Sequence, residues 1–116
     1  MTDIPILSQL ENYLSVTNKR ATVISSNMAN VDTPGYHTRD IDFQHELSRA
    51  LKSDGSHATP VQVSTVSGLM ERPDGNNVDV DRESVLLSEA QLQYQVGTQL
   101  MKSRFHELMS AINGDK

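Results

Sequence analysis

Ser26-Asn27-Met28-Ala29-Asn30-Val31-Asp32-Thr33-Pro34-Gly35-Tyr36 decides the architecture, because a long apolar stripe ends here and a turn takes its place. In Thr33-Pro34-Gly35-Tyr36, Pro fixes φ at the second position and Gly accepts the positive φ of the third, as a type II turn requires. The residue before Pro is pushed out of the helical region, so a helix arriving here must stop at or before Thr33. Asn30 and Asp32 carry short polar side chains that bond nearby backbone groups as a helix frays, which suits a tight stop.

Working back towards the N-terminus, Leu7, Leu10, Leu14, Thr17, Ala21, Ile24 and Met28 recur at alternating spacings of three and four, a heptad stripe. Glu11, Lys19 and Arg20 lie off that stripe, and no Gly or Pro interrupts Ile6 to Asn30. A helix of some 24 residues would run about 36 Å at roughly 1.5 Å per residue.

Forward of the turn, Asn77-Val78-Asp79-Val80-Asp81 announces a second helix: either Asp can cap it, and Glu83 sits well in its first turn. Its stripe is Leu87, Ala90, Tyr94, Gly97, Met101, Phe105, Leu108 and Ile112. A flanking row of Leu92, Val96 and Leu100 widens the apolar face beyond one seam and predicts more than one neighbour. Gly97 costs about 1 kcal/mol relative to Ala inside a helix, which points to close packing there. Gly114 ends the helix.

Between the two, Asp42 is placed to cap a short helix in which Phe43, Leu47, Ala50 and Leu51 share a face. Residues 53–77 are rich in Ser, Gly, Thr and Pro, with an alternation at Val61 and Val63 and a Pro73-Asp74-Gly75 turn, and read as a linker or small β excursion. The expected fold is mainly α, with long N- and C-terminal amphipathic helices packed antiparallel in coiled-coil fashion, a short helix, and an irregular or small-β central segment. It forms one structural domain in three parts, 1–36, 37–77 and 78–116.

Composition narrows the function. The 116 residues have room for one domain, and no apolar run is long enough to span a bilayer. No basic leader or small-residue cleavage site opens the chain, so a conventional secretory signal is not expected. Cysteine is absent, which removes disulfides and thiolate chemistry and leaves the redox compartment open. Fifteen acidic residues against ten basic ones give a net charge of −5, and the densest basic cluster is Lys19-Arg20, so nucleic acid is not an expected partner. Aromatics are only 4% of the chain, so the anchors that fill a globular core are scarce. Two long helices with so few aromatics, joined by a polar middle, cannot surround one another. Apolar surface stays exposed unless other chains cover it.

Signs of reactive chemistry are few. His37, His45, His57 and His106 are scattered, with no pair at the i,i+4 spacing of a zinc helix. Asn77, Asp79 and Asp81 alternate like the start of a calcium loop, but Arg82 stands at its Gly position and Ser88 at its bidentate Glu position. No glycine-rich phosphate loop or recognisable nucleophile appears, so no cofactor, metal or catalytic residue is expected.

The opening string, followed by Arg39-Asp40-Ile41-Asp42-Phe43, resembles the N-terminal signature of the bacterial flagellar axial proteins, which build the rod and hook. It looks most like the proximal basal-body rod proteins. Asn76-Asn77-Val78-Asp79-Val80-Asp81-Arg82-Glu83, and Tyr94-Gln95 through Leu108-Met109-Ser110-Ala111-Ile112, are similar to that family's C-terminal block. The likeness covers about two thirds of the chain, in order. Met28 and Val31 stand where the family usually has Ile and Ala, and His37 where Lys is common. The signature residues are Ser26, Asn27, Ala29, Asn30, Thr33, Pro34, Gly35 and Tyr36.

The resemblance implies a structural subunit of the flagellar basal body, polymerising through its terminal helices into the periplasmic drive shaft that motility needs. It implies export by the flagellar type III apparatus without a cleavable signal. The implied partners are further copies of the chain, other rod proteins, the membrane-ring adaptor and the export gate. Assembly would fall to Leu7, Leu10, Leu14, Ile24 and Met28 on the first helix. On the second it would fall to Leu87, Tyr94, Leu100, Met101, Phe105, Leu108 and Ile112. Phe43 and Leu47, four apart, are a candidate export signal; packing of the short helix explains the pair equally well. The runner-up is a soluble helical adaptor or chaperone-like binding module holding one partner helix in a groove. A small enzyme would need a concave site of which the sequence gives no sign.

Overall fold

A computed structural model of the chain describes residues 3–52 and 60–114. Helix α1 runs Asp3–Ala29, strand β1 is Arg39–Asp40, helix α2 is Phe43–Lys52, strand β2 is Ser64–Thr65, and helix α3 is Val80–Asn113. The mainly helical fold expected from the two heptad stripes is the one observed. Pro5 is accommodated in the first turn of α1, where the backbone N–H it lacks would have no intrahelical acceptor.

α1 and α3 lie side by side in opposite directions: Asn27, near the end of α1, meets Glu83 at the start of α3. Further along, Leu14 and Tyr13 meet Gly97. At about 1.5 Å per residue the helices are roughly 40 and 51 Å long, and the molecule measures 65 × 25 × 18 Å. A rod of this shape has little interior. The buried apolar side chains among the described residues are Val16, Val23, Ile24, Ile41, Val78 and Ala90.

α1 therefore has two apolar sides. Ile24, fully buried, and the half-buried Leu14 and Ala21 belong to the heptad stripe. Val16 and Val23, which that stripe omits, pack with Ile41, Phe43, Ala50 and Val61 on the other side. Tyr13 meets the Phe43 ring edge-on, centroids 6.0 Å apart at 81°. Burial pushes the Tyr13 hydroxyl above its ordinary pKa.

Caps fall where the sequence places them. Asp42 accepts from His45 N at 3.2 Å to start α2, and Asp79 accepts from Arg82 N at 3.3 Å to start α3. Gly114, at φ 73°, closes α3. The β excursion is minimal: β1 and β2 pair antiparallel, Arg39 opposite Thr65 and Asp40 opposite Ser64. β2 lies just beyond the Val61/Val63 alternation. Part of the 53–77 segment, residues 53–59, lies outside the described residues.

Candidate functional site

The eleven residues that open the sequence reading build a polar clamp joining the end of α1 to the start of α3. The turn has the expected form: Tyr36 N donates to Thr33 O at 3.2 Å, and Gly35 takes φ 75°. A second turn, closed by Gly75 N donating to Arg72 O at 2.8 Å, stacks on it. Gly35 N donates to Asp74 O at 2.9 Å, and a Cβ on Gly75 would lie 3.3 Å from Gly35 Cα. Gly75 comes this close to the Gly35 backbone because it carries no side chain, whereas a Cβ on Gly35 would meet nothing within 4 Å and Gly35 is required by its positive φ.

Three buried asparagines fasten the turns. Asn27 donates to Arg39 O at 2.7 Å and to Glu83 Oε1 at 2.6 Å, while its own Oδ1 accepts from Tyr36 Oη at 2.9 Å and Arg39 N at 3.0 Å. Asn76 donates to Asn30 O at 2.9 Å and Thr33 O at 2.8 Å and accepts from Val78 N at 2.8 Å. Asn77 Oδ1 accepts from Thr38 N at 2.6 Å. An asparagine carries two donors and an acceptor in one plane, which lets it complete several orphaned backbone groups at once. Asn30 itself donates to Ser26 O at 2.8 Å, the helix-end bond expected of it.

Glu83 is fully buried. A buried carboxylate is tolerated only when donors surround it. Here Asn27 supplies one and Arg82 Nη1, at 2.5 Å, the other, at the positive end of the α3 dipole. Arg82 also faces Asp40 at 3.7 Å, and Asp40 pairs with Arg20 of α1 at 3.3 Å. Arg20 reaches Glu89 as well, at 3.3 Å. The Lys19-Arg20 pair is thus divided, Arg20 turned inward to this network and Lys19 exposed.

The structure brings the signature residues Asn27, Asn30, Thr33, Gly35 and Tyr36 together with Asn76, Asn77 and Glu83 from the far end of the sequence. Ser26, Ala29 and Pro34 are exposed at its margin. Sequence reasoning missed Arg72, which donates to Val78 O at 3.2 Å and to Val31 O, bracing both helix ends. The only hint was its place directly before Pro73-Asp74-Gly75.

The residues expected to carry assembly divide by exposure. Ile24 is wholly inside the subunit, and Leu7, Leu10, Leu14, Met28, Leu87, Met101 and Leu108 are half-buried. Tyr94, Leu100, Phe105 and Ile112 are exposed, joined by Val85, Leu92, Val96 and Met109. Val85, Leu92, Val96 and Leu100 recur at spacings of seven, four and four, an exposed row in which Val85 and Leu92 lie opposite Ala90 and Gly97, the α3 residues buried at the helix seam, and Val96 and Leu100 lead round towards it. Phe43 and Leu47 are half-buried, Phe43 within the α1–α2 core. No group of three or more potential metal ligands occurs among the described residues, and none of their helices is long and apolar enough to cross a membrane.

The family match falls on the α1 side of the clamp. Residues 14–37 match the family described as flagella basal body rod protein. The chain is 34% identical to the flagellar basal body rod protein FlgB of Bacillus subtilis, covering 95% of each chain. It is 33% identical to FlgB of Salmonella typhimurium over 90% of each, and 37% identical to FlgB of Aeromonas hydrophila over 89% of each. With this likeness running nearly end to end, the chain belongs to the FlgB family of flagellar basal body rod proteins.

Proposed function

We propose that the chain is a structural subunit of the flagellar basal body rod, held among its neighbours by the helix faces that the folded subunit leaves uncovered. The carrying observation is the outward row Val85, Leu92, Val96 and Leu100, where Val85 is 66% and Leu92 61% exposed. A lone subunit gains nothing from such a row in water, and burying it is worth about 25 cal/mol per Å². Phe105, Met109 and Ile112 extend the uncovered surface to the far end of α3.

In this reading the clamp fixes α1 against α3 at one end, and the outward faces then meet neighbours in a repeating interface. Contacts between unlike patches do not close on themselves and propagate into a filament. Many shallow contacts of this kind carry torque without any catalytic step. The location proposed is the periplasmic rod, reached through the flagellar type III export apparatus, beside other rod proteins and the membrane-ring adaptor.

Leu92→Asp and Leu100→Asp test the proposal, since both side chains are exposed and a charge there leaves the subunit's own core untouched. Helix content and export should match wild type while motility is lost. Normal swimming in both variants would overturn the assigned face. A stable one-to-one complex with a single soluble partner in sedimentation would favour an adaptor instead.

A further inference from the structure

Beside the clamp, α1 and the β1–β2 pair enclose a cleft of about 230 Å³ that includes Lys19, Thr22, Ser26, Tyr36, Arg39 and Val63. Lys19 and Arg39 are exposed, and among the described residues no carboxylate forms an ion pair with either. Thr22 and Tyr36 already donate, to Asn18 O at 3.1 Å and Asn27 Oδ1 at 2.9 Å. Lys19, Arg39 and Ser26 are the donors left to face a visitor, around an apolar wall at Val63, itself 38% exposed. In a chain of net charge −5, two unpaired cations flanking an apolar patch select an acidic partner with an apolar centre.

The same chain carries that pattern at the start of α3. Arg82 and Glu83 turn inward, but Asp79 and Asp81 are exposed on either side of Val80, which is 43% exposed, with Val85 next along the helix. The helix dipole accounts for an acid at Asp81. It does not account for the uncovered Val80 and Val85 beside it.

Resting on the rod reading, we infer that the Lys19/Arg39 cleft of one copy receives the Asp79-Val80-Asp81 segment of a second copy. Asp81 meets the cations and Val80 the wall at Val63. The two patches differ, so the contact is heterologous and leaves a free cleft and a free acidic segment at its ends. Exposed pairs contribute little, but pairs desolvated within an interface govern register and partner choice.

The cysteine-free chain gives a clean background for the test. Arg39→Cys and Asp81→Cys variants are made in the same cells, and purified basal bodies are treated with a short bis-maleimide. A cross-linked dimer of this chain is expected only when both variants are present. No dimer in basal bodies that contain both variants, or a cross-link to a different protein, would overturn the inference; Ser26→Cys replaces Arg39→Cys if the latter fails to incorporate. Independently, Lys19→Glu with Arg39→Glu should lower incorporation at least tenfold at unchanged helix content. Adding Asp81→Lys should restore it to within about threefold. Failure of that rescue also counts against the contact. Absence of the wild-type chain from basal bodies would instead overturn the rod reading itself.

Discussion

Gly97 of α3 sits against Leu14 of α1 so closely that a Cβ on Gly97 would come within 2.6 Å of Leu14 Cδ2. The same atom would lie 2.9 Å from Cε2 of Tyr13, whose ring is held in turn against Phe43. The glycine is a point of close approach between the two long helices.

Two opposing terms decide the outcome at this position. Gly97→Ala gains about 1 kcal/mol of helix propensity, but overpacking costs typically 1–3 kcal/mol. Leu14 can swing its terminal methyl aside; the Tyr13 ring has less room. A net loss of about 1 kcal/mol is expected by chemical denaturation, with Gly97→Val worse. Leu14→Ala in the Gly97→Ala background should be less costly than the two single changes added together. A more stable Gly97→Ala would mean that the helices separate without penalty.

The clamp predicts a sharp contrast between neighbouring polar residues. Asn27→Ala leaves buried Glu83 with Arg82 alone and removes the acceptor of Tyr36 Oη and Arg39 N. Orphaning buried polar groups and a buried charge costs about 3 kcal/mol or more. Asp32→Ala, at an exposed position of the same motif, should stay within about 0.5 kcal/mol. Equal losses in thermal melts would show that Asn27 is not the fastening point.

Much of this arrangement was legible because it is local. Heptad spacing gives α1 and α3, Pro34-Gly35 dictates its own turn, and Asp42 and Asp79 cap the helices that follow them. The clamp was not legible, since Asn27, Asn76 and Glu83 become partners only after a chain reversal that no periodicity encodes. Val16 and Val23 were hidden for a related reason: a seven-residue pair is too sparse to read as a face until Ile41 and Phe43 supply its other half. Assigning Ile24 to assembly with the larger stripe residues leaves out competition within the subunit, which claims Ile24 entirely.

Alkaline conditions probe the α1–α2 contact. Burial raises the Tyr13 pKa above 10.0, so the folded chain holds a proton that the unfolded chain releases first. Stability is unaffected by this group below pH 10 and falls as pH climbs from there through the folded-state pKa. Tyr13→Phe removes that ionisation and should flatten the alkaline limb of a stability–pH curve. An unchanged slope in the variant would assign the loss to other groups.

Phe43 and Leu47 separate export from packing. Phe43 contributes to the folded core; on the proposed export route the chain would be threaded unfolded, and both side chains would then be free to dock at an export gate. The double change to Ala removes two apolar anchors without adding charge, so a docking peptide would lose most of its affinity. It also removes the edge-on partner of Tyr13, which weakens the subunit after export. Fractionation distinguishes the two roles. Loss of secretion with undiminished cytosolic protein is the expected result for a signal, and Phe43→Tyr, which keeps a ring at the site, should secrete normally. Secretion at wild-type level with poor incorporation into basal bodies would confine both residues to packing, because the unfolded chain would then have passed the gate without them.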